Sequence, residues 1–81
     1  MENETQVIKV IFRKFPEGDV IALFPEELAD LHGNILSYMR IGQHGAASPE
    51  LITELSKAKP SEYTSLEKEL ESLGYILKKG K

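Results

Sequence analysis

The chain has 81 residues, a formal net charge of −3, 41% hydrophobic and 28% charged residues, and no cysteine. This length predicts one small domain, because two cores of half the size would bury too little surface to fold unaided. The composition is that of a globular protein and argues against a disordered or fibrous chain. The missing cysteines exclude disulfides, thiolate zinc sites and cysteine nucleophiles. The net charge indicates no general attraction to polyanions.

The first third of the chain predicts a β-hairpin. Residues Gln6 to Phe15 are rich in β-branched and aromatic side chains, which is typical of a strand. The turn FPEGD supplies Gly18 where a left-handed conformation is needed, and a second strand, Val20 to Phe24, follows and ends at Pro25. Alternation divides the first strand into a face with Ile8, Val10 and Phe12 and a face with Lys9, Ile11 and Arg13.

The middle of the chain predicts a connector and a third strand. Residues Pro25 to Asn34 are compatible with a short helical turn, after which Gly33 and Asn34 reverse the chain. The strand Ile35 to Ile41 follows, and alternation puts Tyr38 and Arg40 on the same side of it.

Two helices and a last strand are predicted in the remainder. Ser48 and Pro49 are typical of a helix start, so one helix should run from about Pro49 to Lys57. A second should run from Glu62 to Leu73, and Gly74 suits the residue after its end. A short strand beginning at Tyr75 completes the pattern. The residues expected to face the core are Leu51, Ile52 and Leu55 in the first helix and Tyr63, Leu66, Leu70 and Leu73 in the second.

Together these elements predict an α+β domain in the order β-β-β-α-α-β. Its small antiparallel sheet comprises the β-hairpin, the third strand and the short C-terminal strand, with two helices packed on one face. The place of the last strand, beside the first or at the other edge, stays open. We expect a single domain over residues 1–81, with 1–5 and 79–81 frayed.

The sequence contains few residues in patterns typical of a catalytic or metal site. His32 and His44 are the only imidazoles and lack metal-ligand spacing, so we expect no metal and no cofactor. A weak hydrolase that uses His44 with Ser37 or Ser48 is an alternative, but no Gly-x-Ser-x-Gly elbow is present. We therefore expect a protein that is not an enzyme.

Nucleic-acid binding is a second alternative. Lys9 and Arg13 share one face of the first strand, and Arg40 and Lys78 could join them on an open sheet surface on which Tyr38 stacks against a base. The competing interpretation is that these cations keep an exposed sheet face soluble, which fits the acidic total better.

The most unusual segment is SYMRIGQHGAASPE, Ser37 to Glu50. Gly42 and Gly45 predict a tight turn that carries the chain out of the sheet into the helix at Ser48. The alternative is a recognition patch in which Tyr38, Arg40, Gln43 and His44 contact a partner protein.

Four phrases, VIFRKF, DVIALFP, SYMRIGQHGAA and LGY, resemble a family of small bacterial proteins of unknown function that occur in phage and mobile-element gene sets. The resemblance spans Val7 to about Tyr75 and implies no activity and no residue role. No apolar run is long enough for a membrane span, and the acidic N-terminal residues are unlike a signal peptide. We expect a cytoplasmic interaction or accessory module that binds another protein and no membrane.

Overall fold

The computed structural model describes residues 7–39 and 43–80. The elements are β1 (Val7–Lys14), β2 (Val20–Leu28), β3 (Ile35–Met39), β4 (Gln43–Ala47), α1 (Leu51–Glu54), β5 (Ser56–Lys57), α2 (Pro60–Ser72) and β6 (Ile76–Lys79). The predicted α+β class, a small antiparallel sheet with two helices, is confirmed. The predicted order is incomplete, because β4 and β5 lie where the sequence predicts a turn and the end of a helix.

The strands form one sheet in the order β4-β3-β2-β1-β5, and β6 also pairs with β1. The pairs from β1 to β4 are antiparallel. On the other side of β1, β5 pairs antiparallel with Arg13 and Lys14, and β6 pairs parallel with Val7 to Val10. The last strand therefore lies beside the first, and β1 has neighbours along both sides. The prediction of an antiparallel sheet is wrong for this strand, which pairs parallel with β1.

The predicted hairpin between β1 and β2 is confirmed. Gly18 has a φ of 108° and donates its amide hydrogen to the Phe15 carbonyl at 2.9 Å, and the Phe15 amide donates to the Asp19 carbonyl at 2.8 Å. The predicted end of the second strand is wrong, since β2 continues through Pro25 to Leu28. The register to β3 shifts between Phe24 and Leu28, and such an irregularity is where a strand tolerates proline.

The connector after β2 forms no helix within the described residues. The Asp30 carboxylate accepts hydrogen bonds from the His32 amide at 2.8 Å and the Asn34 side-chain amide at 2.8 Å. Gly33 has a φ of 88° in the same turn, which bears out the predicted chain reversal.

The two helices cover opposite faces of the sheet, so the prediction that both pack on one face is wrong. The face with Val10 and Phe12 packs against Leu66 and Leu70 of α2, whereas Ile11 on the other face belongs to the cluster that α1 covers. The reason is topological: the chain leaves β4 at one edge and reaches β5 at the other, so α1 crosses one face, and α2 packs on the other.

Both helices differ from their predicted limits. α1 has four residues, because the chain extends again at Leu55 and forms β5. α2 begins at Pro60, and the Lys59 amide donates to the Glu62 carboxylate at 2.8 Å as its cap. Leu66 and Leu70 are buried as predicted, but Leu73 follows the last residue of α2 and is 55% exposed.

The end of the described chain is paired. Lys79 is the last residue of β6, opposite Val10, and the Gly80 amide donates to the Val10 carbonyl at 2.8 Å. A Cβ atom at Gly80 would lie 2.9 Å from Cε of Lys9 and 3.1 Å from Cγ1 of Ile11. A side chain at position 80 would therefore displace the end of the Lys9 side chain and press on Ile11. Residues 79 and 80 are part of the sheet edge where the sequence predicts fraying.

Candidate functional site

Tyr38 and His44, two members of the predicted recognition patch, lie opposite each other on β3 and β4. Tyr38 is only 1% exposed, and its hydroxyl group donates a hydrogen bond to the Glu69 carboxylate of α2. The His44 ring meets the Tyr38 ring edge-on, with 4.6 Å between the ring centroids. Tyr38 is thus a core residue, and His44 is the member of this pair that solvent reaches.

The His44 imidazole also contacts Tyr75, which follows α2. Its Nε2 atom lies 3.2 Å from the Tyr75 hydroxyl oxygen, within hydrogen-bonding distance. The Tyr75 ring stacks in turn on Phe24, with centroids 5.8 Å apart. These contacts connect β4 to the segment that follows α2, and they give the exposed imidazole a defined position.

Of the other two patch residues, Gln43 and Arg40, the structure describes only Gln43. Gln43 is the first residue of β4 and pairs with Met39. Arg40 lies outside the described residues, and so does Gly42. The convergence of all four patch residues stays a prediction.

The predicted tight turn is wrong at Gly45. This residue lies in β4, paired with Ser37, and it needs no left-handed backbone. Because paired residues share a face and neighbours alternate, Ser37 and Gly45 face the α1 side while His44 faces the α2 side. Ser37 is also buried at 6% exposure. Ser37 therefore cannot serve as a nucleophile for His44, although a hydrolase that uses other groups stays an untested prediction.

The residues proposed for nucleic-acid binding do not share one surface. The pairs Phe12–Ala22 and Ala22–Tyr38 carry one face across the sheet, so Tyr38 lies on the α2 side, whereas Lys9 and Arg13 lie on the α1 side. Arg13 is only 6% exposed.

The buried Arg13 guanidinium binds the protein's own backbone. Its Nε donates to the Ile52 carbonyl at 2.8 Å, which ties β1 to α1, and its Nη1 donates to the Phe12 carbonyl at 3.1 Å. Burial lowers the pKa of Arg13 from its ordinary value, because the charged form loses hydration. This arginine is a structural element beneath α1, and Lys9 is the exposed cation of the pair.

The outer edge of β4 is the feature that sequence reasoning missed. Backbone groups of successive strand residues point alternately to the two neighbours. The Val10 and Phe12 carbonyls bond to Gly80 and Ala58, on the side of β1 away from β2. The residue pairs carry this alternation from β1 through β2 and β3 to β4. The N–H and C=O groups of His44 and Ala46 therefore point away from β3.

Among the described residues, this edge lacks the lysine, the proline and the β-bulge by which many sheet edges are protected. In residues 7–39 and 43–80 no strand pairs with the outer side of β4. The strand QHGAA contains no lysine or proline, and its pairing with β3 runs without a bulge from Gln43 to Ala47. His44, Gly45 and Ala46 are all exposed. Proteins usually block such an edge with charge, proline or a bulge, since it is a template for another strand.

Gly45 adds a second observation at the same edge. A Cβ atom built there would meet only Ser37 Oγ, at 3.6 Å, which is an ordinary contact. Glycine inside a strand costs about 0.5–1 kcal/mol relative to alanine. The fold does not require that cost, and a strand glycine often marks a place where another backbone or a ligand approaches closely.

A metal-binding cluster and a membrane-spanning helix are both absent from the described residues. No group of three or more His, Asp or Glu side chains there could hold a metal ion. No helix in that part of the chain is long and apolar enough to cross a membrane. Comparison of the sequence and fold with protein-family models, curated proteins and solved structures finds no match.

Proposed function

We propose that the protein is an interaction module, and that it binds an extended segment of a partner protein by adding it as a strand to the outer edge of β4. The observation that carries the proposal is the outer edge of β4, which is exposed from His44 to Ala46, carries no lysine, arginine or carboxylate, and has no bulge. Strand addition to an open sheet edge is a common mode of peptide recognition. The earlier resemblance to small phage and mobile-element proteins fits an accessory role in the bacterial cytoplasm.

The backbone of β4 supplies most of the binding energy. An added antiparallel strand can exchange hydrogen bonds with His44 and Ala46, each contributing about 0.5–1.5 kcal/mol net. Gly45 lies between them, where its missing side chain lets the partner approach. The alanines and glycine of β4 bury little apolar area, so we expect moderate affinity.

Selectivity comes from the side chains next to the added strand. His44, fixed by Tyr38 and Tyr75, is the largest side chain that β4 presents on the α2 side. A partner residue opposite His44 would pack against the imidazole ring. We therefore expect His44→Ala to weaken binding of the partner while the domain stays folded.

The decisive experiment removes one outward hydrogen-bond donor. Because the Ala46 N–H points away from β3, Ala46→Pro deletes a donor without breaking the β3–β4 ladder. Ala46→Thr is the matched control, since it keeps the N–H. Both variants and the wild type are used to capture partners from the native cell, and each recovered protein is then purified and titrated.

Loss of binding by Ala46→Pro and its retention by Ala46→Thr would support strand addition. Hydrogen exchange at the His44 and Ala46 amides should also slow when the purified partner is added. If Ala46→Pro unfolds like the wild type and binds equally well, strand addition is wrong. Recovery of no partner, together with turnover of a small molecule by the pure domain, would refute the interaction module as a whole.

Nucleic-acid binding remains a second candidate because of one pair of lysines. Lys9 and Lys78 lie directly opposite each other on β1 and β6, are exposed, and line a cleft with Val7 and Glu26. Like charges in this position repel, and a phosphate between them would relieve the repulsion.

Titration with single-stranded RNA and DNA at low salt tests this candidate. If it holds, affinity falls steeply as salt rises, and Lys9→Gln and Lys78→Gln each reduce the slope of log K against log salt by about 0.7. Lys68→Gln, an exposed charge change on α2, is the control. Absence of binding at low salt ends this candidate.

A further inference from the structure

The outward backbone groups of β4 are arranged symmetrically about Gly45. His44 and Ala46 each direct an N–H and a C=O away from β3, whereas Gly45, which lies between them, pairs with Ser37. A strand with this arrangement is complementary to a second copy of itself that runs in the opposite direction. In that pairing, His44 of each copy lies opposite Ala46 of the other, and the two Gly45 residues face each other.

This register uses the outward groups of both residues. Each pair of His44 with Ala46 exchanges both of its N–H···O=C bonds, and Gly45 occupies the closely spaced position between the pairs. A shift by one residue would lose these bonds, and a shift by two would leave only one bonded pair within β4. The side chains also fit, because an imidazole lies beside a methyl group on the α2 side, and two glycines meet on the α1 side.

Charge does not oppose the contact of two copies at this edge. The strand QHGAA carries no lysine, arginine or carboxylate, although the whole chain has a net charge of −3. The strands at the other edge of the sheet differ, since β5 carries Lys57 and β6 carries Lys78 and Lys79. Lysine is a common device against edge pairing. Contact through β4 alone is isologous and closes as a two-fold dimer.

We propose that the free protein forms a weak two-fold dimer in which the β4 edges of two copies pair antiparallel about Gly45, and that a partner strand must displace the second copy. The inference rests on the proposed function, because the second copy and the partner use the same edge. Self-pairing covers the edge that β4 otherwise leaves open. A strand of five residues buries little area, so the dissociation constant should lie between about 10 μM and 1 mM.

Sedimentation equilibrium of the whole chain measures this association. Over the same concentration range the 9.1 kDa protein should pass from monomer to dimer and form no larger species. Ala46→Pro removes one donor from each copy, so it should raise the dissociation constant at least about tenfold. Ala46→Thr keeps the N–H and should still dimerise. Circular dichroism checks that both variants are folded.

A single cysteine tests the register of the pairing. The chain contains no cysteine, so Gly45→Cys introduces one thiol in each copy. Residues at the closely spaced position have Cα atoms about 4.5 Å apart, which is within the range for a disulfide. Mild oxidation should therefore link two copies of Gly45→Cys, and adding Ala46→Pro should slow this reaction. Ser65→Cys, an exposed position on α2, measures cross-linking by random collision.

The self-pairing is overturned if the wild type stays monomeric up to about 1 mM, if it grows into larger assemblies, or if Ala46→Pro dimerises equally well. Equal rates of cross-linking for Gly45→Cys and Ser65→Cys would also overturn it. None of these results refutes strand addition by a partner, which capture with Ala46→Pro tests. A purified partner that binds the dimer without dissociating it would refute the need for displacement and strand addition at β4, while a one-to-one complex formed at the expense of the dimer supports both.

Discussion

Replacement of Gly45 by alanine should stabilise the protein. Gly45 lies in β4 without a left-handed backbone, and a Cβ atom there would contact only Ser37 Oγ at 3.6 Å. Alanine in a strand is favoured over glycine by about 0.5–1 kcal/mol, since it loses less conformational freedom on folding. For a domain of this size, 1 kcal/mol corresponds to a shift in Tm of roughly 4–8 °C. The expected rise is therefore roughly 2–8 °C.

Thermal unfolding followed by circular dichroism, supported by urea denaturation, measures the change. Gly18→Ala is the matched control: nothing lies within 4 Å of its Cβ position, but its φ is 108°. A non-glycine residue there is strained by about 1–2 kcal/mol, so this variant should unfold at a lower temperature. If Gly45→Ala lowers Tm as much as Gly18→Ala does, Gly45 acts as a turn residue and its placement in β4 is wrong.

Three further predictions concern the core and its charges. Leu70→Ala should cost about 2–5 kcal/mol in urea denaturation because Leu70 is fully buried, whereas Leu73→Ala, at a position 55% exposed, should change stability by less than about 0.5 kcal/mol. Arg13→Met should cost about 1–3 kcal/mol in the same assay, because it leaves the Ile52 carbonyl of α1 without its donor; an unchanged midpoint would contradict that role. The Lys14 Nζ atom lies 2.6 Å from the Glu62 carboxylate, and its hydrogen bond lowers the pKa of Glu62. The stabilisation from this pair is therefore present above the unfolded-state pKa of about 4.3. It is lost as the pH falls through the lower folded-state pKa. Glu62→Gln should remove that part of the pH dependence of Tm. An unchanged fall of Tm at acid pH would refute this prediction.

The sequence predicts local structure correctly where short-range chemistry decides it. The turn at Gly18 needs a left-handed residue and has one, and the reversal at Gly33 has the same cause. The alternation in β1 correctly separates Val10 and Phe12 from Ile11, since side chains of a strand alternate whatever it pairs with.

The failures concern segments whose structure depends on distant partners. The segment Gln43 to Ala47 lacks the β-branched and aromatic residues typical of strands. It forms β4 because its backbone pairs with the N–H and C=O groups of β3 that β2 leaves unpaired. Ser56 and Lys57 leave the predicted helix for a similar reason, since β1 has an open side at Arg13 and Lys14. His44 belongs both to the predicted patch and to β4, but the open backbone of β4 has no signature in its side chains.

The amino-acid sequence by itself determined the class of the domain, its first hairpin, and the burial of Leu66 and Leu70, because these follow from local conformational preferences and periodic hydrophobicity. Only the tertiary structure decided that α1 and α2 lie on opposite faces, that Tyr38 and Arg13 are buried, and that β4 forms an unprotected edge. The physical reason is that a periodic pattern shows which side of an element is apolar but not which other element covers it. That choice depends on long-range pairing, which places β5 and β6 together beside β1 and leaves β4 at the margin.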